Sequence, residues 1–255
     1  MPNSEKRTVL ITGASRNIGA RLAKRLASQG YAVVIVARSA DKLSEVESSI
    51  STGGGEAMAV SGDLAKAEEI ERIVAAALGR FGRIDVLVNN AVSRLHKPFL
   101  ESTDEDFAEI FNVTAWSAIR MSRALLPGMI DNRWGRIVSM VGTSAQTGAA
   151  GKSGFVAAKS SLIGLTKALA LEFADSGITV NAVSPGPIAT DRGAWTVKGS
   201  DDATVQAWYA ERAKSVPMGR MGTMDEISAV IEFLASDAGA FITGQVINVN
   251  GGMLT

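Results

Sequence analysis

The chain has 255 residues with 26 basic and 26 acidic side chains, and its zero formal net charge argues against a nucleic-acid or anionic-membrane partner. It contains no cysteine and one histidine, His96, so we exclude disulfides, thiol catalysis and a multi-histidine cluster and predict no metal. The polar first residues do not resemble a signal peptide and no apolar run approaches the ~18 residues of a membrane span, so we expect a soluble, cytoplasmic protein.

Short apolar runs alternate with helical patterns through the first third of the chain. The run over 8–12 suits a strand buried on both faces, and an apolar period of four over 18–30 predicts the helix that follows it. By the same criteria we predict strands over 32–37, 57–60 and 84–90 and helices over 42–50 and 67–81.

The alternation continues to the last residues. Thr103 with Asp106 three residues later is typical of a capped helix start, which predicts a helix over 104–130. Further strands are predicted over 135–140, 178–183 and 245–249, and further helices over 155–174 and 224–234. The polar segment 189–216, with an amphipathic stretch at 205–213, is long for a connection, so we interpret it as a substrate lid.

Strands and helices that alternate at this spacing favour one architecture. We predict an α/β fold, a Rossmann-like doubly wound parallel sheet of about seven strands with helices on both faces. No repeat, linker or shift in composition divides the chain, so residues 1–255 are expected to form a single NAD(P)-binding domain.

A glycine-containing loop separates the first strand from the first helix. Between Gly13 and Gly19 the sequence has Asn17 where commoner dinucleotide loops have a glycine. Such glycines let the backbone approach a pyrophosphate on the helix N-terminus, and asparagine tolerates a left-handed backbone better than most residues. The alternative is that the two glycines serve only the packing of helix against strand.

Two arginines bear on the choice of cofactor. A site for NAD would have an acid after the second strand to bind the ribose 2′-hydroxyl. This chain has Arg38 there and Arg16 in the loop, and both can hold a 2′-phosphate by charge-assisted hydrogen bonds. They favour NADP(H) over NAD(H), with two solvated surface arginines as the alternative.

With these residues placed, the chain from residue 8 onward resembles the short-chain dehydrogenase/reductase family. The resemblance rests on motifs spread over the chain, which are Thr12 to Gly19, Asp63-Leu64, Asn89-Asn90-Ala91, Lys159, Asn181, Pro185 to Thr190, Gly244 and Asn250-Gly251-Gly252. It also implies a small-molecule substrate and a homotetramer formed partly through the helices over 104–130 and 154–174.

The resemblance implies roles around a dinucleotide. Asp63 and Leu64 would contact the adenine, and Asn89 and Ala91 would line the ribose. Lys159 would bind the nicotinamide ribose hydroxyls. Two further residues would hold the nicotinamide carboxamide, Ile188 and Thr190. The complete predicted set of cofactor-binding residues is Gly13, Ser15, Arg16, Asn17, Ile18, Gly19, Arg38, Asp63, Leu64, Asn89, Ala91, Lys159, Pro185, Gly186, Ile188 and Thr190.

The catalytic positions that the family implies are altered. Carbonyl reduction in the family resembles general acid catalysis by a tyrosine, assisted by a lysine, a serine and an asparagine. Here the tyrosine position is Phe155, the serine position is Gly142 and the asparagine position is Thr114, so that only Lys159 remains. Departures at three separate places argue against an error of register.

Other groups could supply the proton. Hydroxyls cluster near the same strand end and helix start, at Ser139, Thr143, Ser144 and Ser153, although such residues usually cap the backbone. Residues 147–155 and 185–194 also look like dienoyl-CoA reductases of the family, which use a different tyrosine whose counterpart here is Ser144. His96 follows the fourth strand on the cleft side, with solvated surface as the alternative. Three aromatic residues of the lid could line a substrate pocket or could pack the lid against the rest of the domain. They are Trp195, Trp208 and Tyr209.

Three hypotheses follow for the function. The first is an NADP(H)-dependent oxidoreductase acting on a small carbonyl, imine or enone, with a proton donor other than tyrosine. The second is a catalytically inactive or non-redox dinucleotide-binding member of the family, such as a sensor, a binding subunit or the partner of an active relative. The third is a lyase or dehalogenase-like activity that reuses the cofactor pocket, against which the retained Asp63, Asn89 and Thr190 speak.

Overall fold

A computed structural model of the protein describes residues 6–191 and 201–255, and seven strands run parallel through this part of the chain. The strands are β1 Thr8–Thr12, β2 Ala32–Ala37, β3 Glu56–Ser61, β4 Val86–Asn89, β5 Gly135–Met140, β6 Ile178–Pro185 and β7 Val246–Val249. They form one sheet in the order β3-β2-β1-β4-β5-β6-β7. The predicted fold class is confirmed.

Helices connect successive strands and cover both faces of the sheet. Those described are α1 Asn17–Ser28, α2 Ala40–Thr52, α3 Ala67–Phe81, α4 Asp104–Phe111, α5 Ser117–Asp131, α6 Ser144–Thr147, α7 Ser153–Glu172, α8 Asp202–Lys214 and α9 Met224–Ala235. Apart from α6, which was not predicted, these helices lie where the sequence predicted helices or, for α8, an amphipathic stretch. α4 and α5 were predicted as one helix, and the other boundaries differ by a few residues. Of the segment interpreted as a lid, residues 192–200, which include Trp195, lie outside the described residues.

The period-two alternation of β1 divides its side chains between two apolar layers. Val9 and Ile11 pack with α1, α2 and α9 on one face, while Leu10 packs with α3 and α5 on the other. All three side chains are fully buried. Because a strand buried on both faces needs apolar residues at every position, the continuous run that predicted β1 follows directly from its place in the centre of the sheet.

The helix predicted over 104–130 is interrupted. Its capped start is confirmed, since Thr103 and Asp106 form a reciprocal capping box. A π-helical turn at Asn112–Trp116 then separates α4 from α5, so the chain is helical over the predicted span, but it is not an uninterrupted α-helix. The Ser117 hydroxyl donates to the Val113 carbonyl at 2.6 Å, in competition with the backbone N–H that an unbroken helix would direct to that carbonyl.

The expectation that no segment is long and apolar enough for a membrane span was also wrong. Among the described helices, α7 meets that test by length and composition. It is nevertheless a core helix, because residues of one face at a spacing of three to four are buried against the body, among them Ala158, Leu162 and Ala170. The opposite face is apolar as well, with Leu171 86% exposed.

The sheet topology places a crevice next to β1. The chain proceeds from β1 outward to β2 and β3, and then crosses to β4 on the other side of β1. The connection after β1 and the connection after β4 run in opposite directions, which opens a cleft at the carboxyl ends of these strands. Ligands of open α/β sheets bind in such clefts. The segments after β1, β2, β4, β5 and β6 all reach this edge.

Candidate cofactor and active site

The glycine loop packs tightly on the chain that follows β4. Gly13 has φ +67°, and a Cβ atom there would lie 2.9 Å from the Ala91 Cα. A Cβ atom at Gly19 would lie 2.5 Å from the Gly13 carbonyl oxygen and 2.8 Å from the Asn90 amide nitrogen. Both glycines therefore serve close packing, as the alternative interpretation held, and they also leave the loop backbone bare of side chains.

Two polar residues clamp the loop to β4. The Thr12 hydroxyl accepts the backbone N–H groups of Asn90 and Ala91, both at 3.0 Å. The Asn90 side chain donates to the carbonyls of Thr12 and Gly13 at 2.9 and 3.0 Å. Sequence reasoning gave neither residue this role, although a threonine that ends an otherwise apolar strand was a usable signal. The clamp fixes the loop before any ligand binds.

Asn17 holds the loop to the beginning of the segment interpreted as a lid. It has φ +51°, so the left-handed backbone anticipated for this asparagine is confirmed. Its side-chain oxygen accepts the backbone N–H of Asp191 at 3.1 Å. A glycine at this position could adopt the same backbone but could not make the bond.

The residues near the predicted adenine and 2′-phosphate region lie at adjacent strand ends. The Ala14 N–H donates to the Val36 carbonyl at 3.1 Å, so Arg38, two residues further along, emerges beside the loop. Its side chain is exposed and has no hydrogen-bond or ionic partner in the described ranges. Arg16 is also exposed. Asp63 accepts the Ala65 N–H at 3.1 Å, which shapes the turn after β3.

Asn89 and Leu64 are inside the protein, next to this region. Leu64 belongs to the apolar layer with α3 and α5. The Asn89 side chain is 5% exposed and donates to the Ser139 hydroxyl at 3.4 Å, which links the ends of β4 and β5. Ser139 is therefore engaged by an amide and buried. Both residues support the cleft wall from within.

Among the described residues, Lys159 is the buried amine near the cleft. It is 3% exposed, and its ammonium donates to the Met140 carbonyl at the end of β5. Burial and, secondarily, the positive charge of Arg94 lower the pKa of Lys159 from its ordinary 10.5 to about 7. One of the three possible donor positions of the ammonium is used within the described residues, so two remain for a ligand.

Phe155 lies one turn before Lys159 and is half-buried. Its ring meets the His96 imidazole edge-on, with ring centroids 6.4 Å apart and an interplanar angle of 83°. A phenyl ring has no proton to donate. The structure thus brings together, at the beginning of α7, an aromatic ring, the lysine behind it and the single histidine of the chain.

The other two positions that the sequence predicts to be altered, Gly142 and Thr114, differ in their surroundings. Gly142 has φ +120°, a backbone conformation that residues with side chains rarely adopt, although the space beside it is open. The Thr114 hydroxyl, in the π-helical turn, is buried and has no hydrogen-bond partner in the described parts of the chain. The Thr143 hydroxyl donates to the Pro185 carbonyl at 3.1 Å. Ser144, at the start of α6, is half-buried and makes no side-chain hydrogen bond to the described residues.

Residues 186–190 follow β6 directly, and we call this segment the strap. Backbone hydrogen bonds hold it in place. Gly186 donates to the Val249 carbonyl at 3.1 Å, and a Cβ atom at Gly186 would lie 2.9 Å from the Asn250 Cα. Ile188 forms an isolated parallel bridge with Gly222, and the Tyr209 hydroxyl donates to the Thr190 carbonyl. Between this strap and α8 lies an open cavity of about 580 Å³, lined among others by Gln206 and Tyr209.

The sheet, its glycine loop and the buried lysine at its carboxyl edge are those of the Rossmann-like class. Residues 13–254 match the family model described as enoyl-(acyl carrier protein) reductase. The chain belongs to the short-chain dehydrogenase/reductase family, and the family resemblance read from the sequence is confirmed.

Relatives match along almost the whole chain. The 3-oxoacyl-[acyl-carrier-protein] reductase FabG of Vibrio cholerae is 37% identical over 251 residues, covering 98% of each chain. The short-chain reductase protein NovJ of Streptomyces niveus is 36% identical over 252 residues, covering 98% of this chain and 94% of NovJ.

Solved structures agree with the fold. YwfH, an NADPH-dependent reductase involved in bacilysin biosynthesis, is 29% identical with a TM-score of 0.90, covering 98% of this chain and 99% of its own. A variant of the actinorhodin polyketide ketoreductase with NADPH is 31% identical with a TM-score of 0.90, covering 99% of both chains.

Proposed function

We propose that the protein is an NADP(H)-dependent oxidoreductase that reduces a small carbonyl, imine or enone with a proton donor other than tyrosine. The observation that carries the proposal is Lys159, a buried amine with donors to spare at the carboxyl edge of the sheet. Burying an amine without a full set of acceptors is costly, which favours a ligand with hydroxyl groups at this position. The NADPH dependence of YwfH and the NADPH in the actinorhodin ketoreductase support the cofactor.

The residues of the cleft fit a dinucleotide. The loop from Gly13 to Gly19 leaves bare backbone at a helix N-terminus, where an added Cβ atom would collide with the protein itself. Arg38 offers an exposed guanidinium without a partner in the described residues to a 2′-phosphate. Lys159 would hold the nicotinamide ribose hydroxyls, and Ile188 and Thr190 on the fixed strap would hold the carboxamide.

A bound nicotinamide supplies a hydride, so the protein must manage the proton. Lys159 can anchor the ribose and add positive charge near a developing oxyanion. Phe155 can only pack and exclude water from the reacting carbon. Substrates that need little help from an acid therefore suit the site best, because an iminium already carries the charge and an enone spreads it over a conjugated system.

The alternative, a family member that binds a dinucleotide without redox turnover, has its own support. At the position of the missing serine, Gly142 has φ +120°, so a serine there would strain the backbone. The backbone conformation at this position, and not only the missing side chain, is therefore unsuited to a serine. Restoring Tyr at Phe155 is consequently a simpler test of the scaffold than restoring both residues.

The test of the proposed function separates binding from turnover. Calorimetric titration with NADPH and with NADH should give the tighter binding for NADPH, and ethyl acetoacetate, a cyclic imine and cyclohexenone should be tried as substrates. Oxidation of NADPH above background with one of them supports the oxidoreductase. Binding without oxidation favours the non-redox alternative, and no binding of either nucleotide removes both.

The organisation of the whole protein is part of the proposal. We infer one NAD(P)-binding domain over residues 1–255, with the segment 189–216 as its substrate lid, in a cytoplasmic homotetramer. The apolar outer face of α7, with Leu171 exposed, supports association through this helix. Sedimentation equilibrium of the wild type and of Leu171→Glu should show a tetramer that the charged variant weakens.

A further inference from the structure

The segment that carries His96 is bonded to two neighbouring elements, the loop before α7 and the first turn of α4. Directly after His96, the Lys97 backbone N–H donates to the Gly151 carbonyl at 3.0 Å, in the loop that precedes α7. The Lys97 ammonium pairs with Asp106 in the first turn of α4 at 2.8 Å. Lys97 thus bonds the segment to both the loop before α7 and α4, which restricts the position of the neighbouring imidazole.

That place is against the ring of Phe155. The edge-on contact of the two rings puts the imidazole beside the residue that stands one turn before the buried Lys159. The rest of the His96 side chain is exposed to solvent. A group in this position can face the cleft on one side and exchange protons with water on the other.

The competing groups are less well suited. The Ser139 hydroxyl is buried against the Asn89 amide, and the Thr143 hydroxyl is used by the Pro185 carbonyl. A serine or threonine hydroxyl is also a weak acid at neutral pH, whereas imidazole changes its charge between about pH 5 and 8. Ser144 and Ser153 remain as hydroxyls without a hydrogen-bond partner in the described residues, and Ser144 provides the comparison variant below.

We propose that His96 is the catalytic proton donor of the reduction, in place of a tyrosine. The inference rests on the proposed function. The substrate carbon gains a C–H bond through a hydride from the reduced nicotinamide, and the π pair of the C=O or C=N bond moves onto oxygen or nitrogen. That atom would take the proton of the imidazolium N–H. In an enone the hydride would instead go to the carbon β to the carbonyl, the C=C π pair would form an enolate, and the carbon next to the carbonyl would take the proton. Solvent then returns a proton to the neutral imidazole.

His96→Phe tests the proposal, because it keeps an aromatic ring against Phe155 and removes the proton. We expect kcat for the best substrate of the panel to fall about 10²-fold, the lower end of the range for a positioned acid. Calorimetry should show NADPH binding within about twofold of the wild type. Lys97→Gln removes the ion pair with Asp106 but keeps the backbone bond to Gly151 and the imidazole, so this variant and Ser144→Ala should each stay within about threefold in kcat.

A second variant supplies the missing acid at the other ring. In the His96→Phe background, Phe155→Tyr places a phenol next to Lys159 and should recover at least tenfold of the lost rate. A structural role of His96 would not be rescued in this way. Loss of turnover in Ser144→Ala but not in His96→Phe would overturn the proposal, and so would equal losses of NADPH binding and kcat in His96→Phe.

The histidine can also be observed directly, since the chain contains no other. The imidazole C–H signals of the wild type in a proton NMR spectrum should shift when the product of the best substrate is added to the protein with NADP⁺. If NADPH binds and the wild type reduces no compound of the panel while Phe155→Tyr does, His96 is not the donor. If no nucleotide binds, the proposed function itself fails, and the two failures are distinct.

Discussion

The two halves of the carboxyl edge contrast sharply. On the nucleotide side, which comprises the ends of β1 to β4 and the glycine loop, contacts are redundant, with Thr12 and Asn90 exchanging several hydrogen bonds. On the reaction side, which comprises the π-helical turn at Asn112–Trp116, the end of β5, α6 and the start of α7, several hydroxyl groups bond only to backbone carbonyls or have no partner in the described residues. The Thr114 hydroxyl lacks a partner in the described residues, and Phe155 is apolar. Holding a nucleotide needs many weak contacts, whereas the chemistry depends on a few groups, so the reaction side can change without loss of the fold.

The variant that should damage the nucleotide side most is one that adds a methyl group to the glycine loop. Gly19→Ala would push a Cβ atom to 2.5 Å from the Gly13 carbonyl oxygen, a backbone atom that cannot move aside cheaply. We expect the free energy of unfolding to fall by about 3 kcal/mol and NADPH binding to be lost.

Gly79→Ala in α3 is the matched control, because nothing lies within 4 Å of its added Cβ atom. Alanine there should be neutral or stabilising by up to about 1 kcal/mol. Urea unfolding measures both variants. A Gly19→Ala protein as stable as the wild type would mean that the loop packs less tightly than the clamp suggests.

On the reaction side, Lys159 links protonation to stability. Its pKa is lowered to about 7 in the folded protein, so between pH 7 and 10.5 the unfolded chain binds the proton and the folded chain has lost it. Stability from this group therefore rises with pH across that window, by roughly 2 kcal/mol between pH 7 and pH 9.

Lys159→Met should remove this rise and make the protein more stable at pH 7, while weakening NADPH binding. Lys167→Met, on the exposed face of the same helix, should keep the wild-type pH dependence. Urea midpoints at both pH values decide between these results. A wild-type slope that persists in Lys159→Met would assign it to another group.

The nucleotide side could be predicted from the sequence better than the reaction side. The strands are short and mostly apolar, most continuously in β1 and β2, and the glycine loop is local in sequence, so both could be predicted from neighbouring residues. The π-helical turn at Asn112–Trp116 interrupts a helical residue pattern that continues across it, and the contact of His96 with Phe155 joins distant parts of the chain. Local patterns do not encode such contacts. The lowered pKa of Lys159 is likewise a consequence of tertiary burial.

Arg38 is the residue of the nucleotide side on which we expect the preference for NADPH over NADH to depend. Arg38→Gln removes the exposed guanidinium beside the loop, and we expect NADPH affinity to fall about tenfold while NADH affinity is unchanged. Because the site is solvated, the effect should shrink as salt is raised. Lys42→Gln, an exposed cation in α2, controls for general charge. Equal losses for the two nucleotides would place Arg38 outside the 2′-phosphate site.

Asn17 joins the two sides, and its variants should give the smallest effects. Asn17→Gly loses the bond to the Asp191 N–H but relieves a left-handed backbone, and these contributions are each about 1 kcal/mol and opposite in sign. We expect its free energy of unfolding to stay within about 0.5 kcal/mol of the wild type. Asn17→Ala loses the bond and keeps the strain that the wild type already has, so it should be less stable by about 1 kcal/mol. Similar values for both variants would show that the side-chain bond, and not the backbone, governs this position.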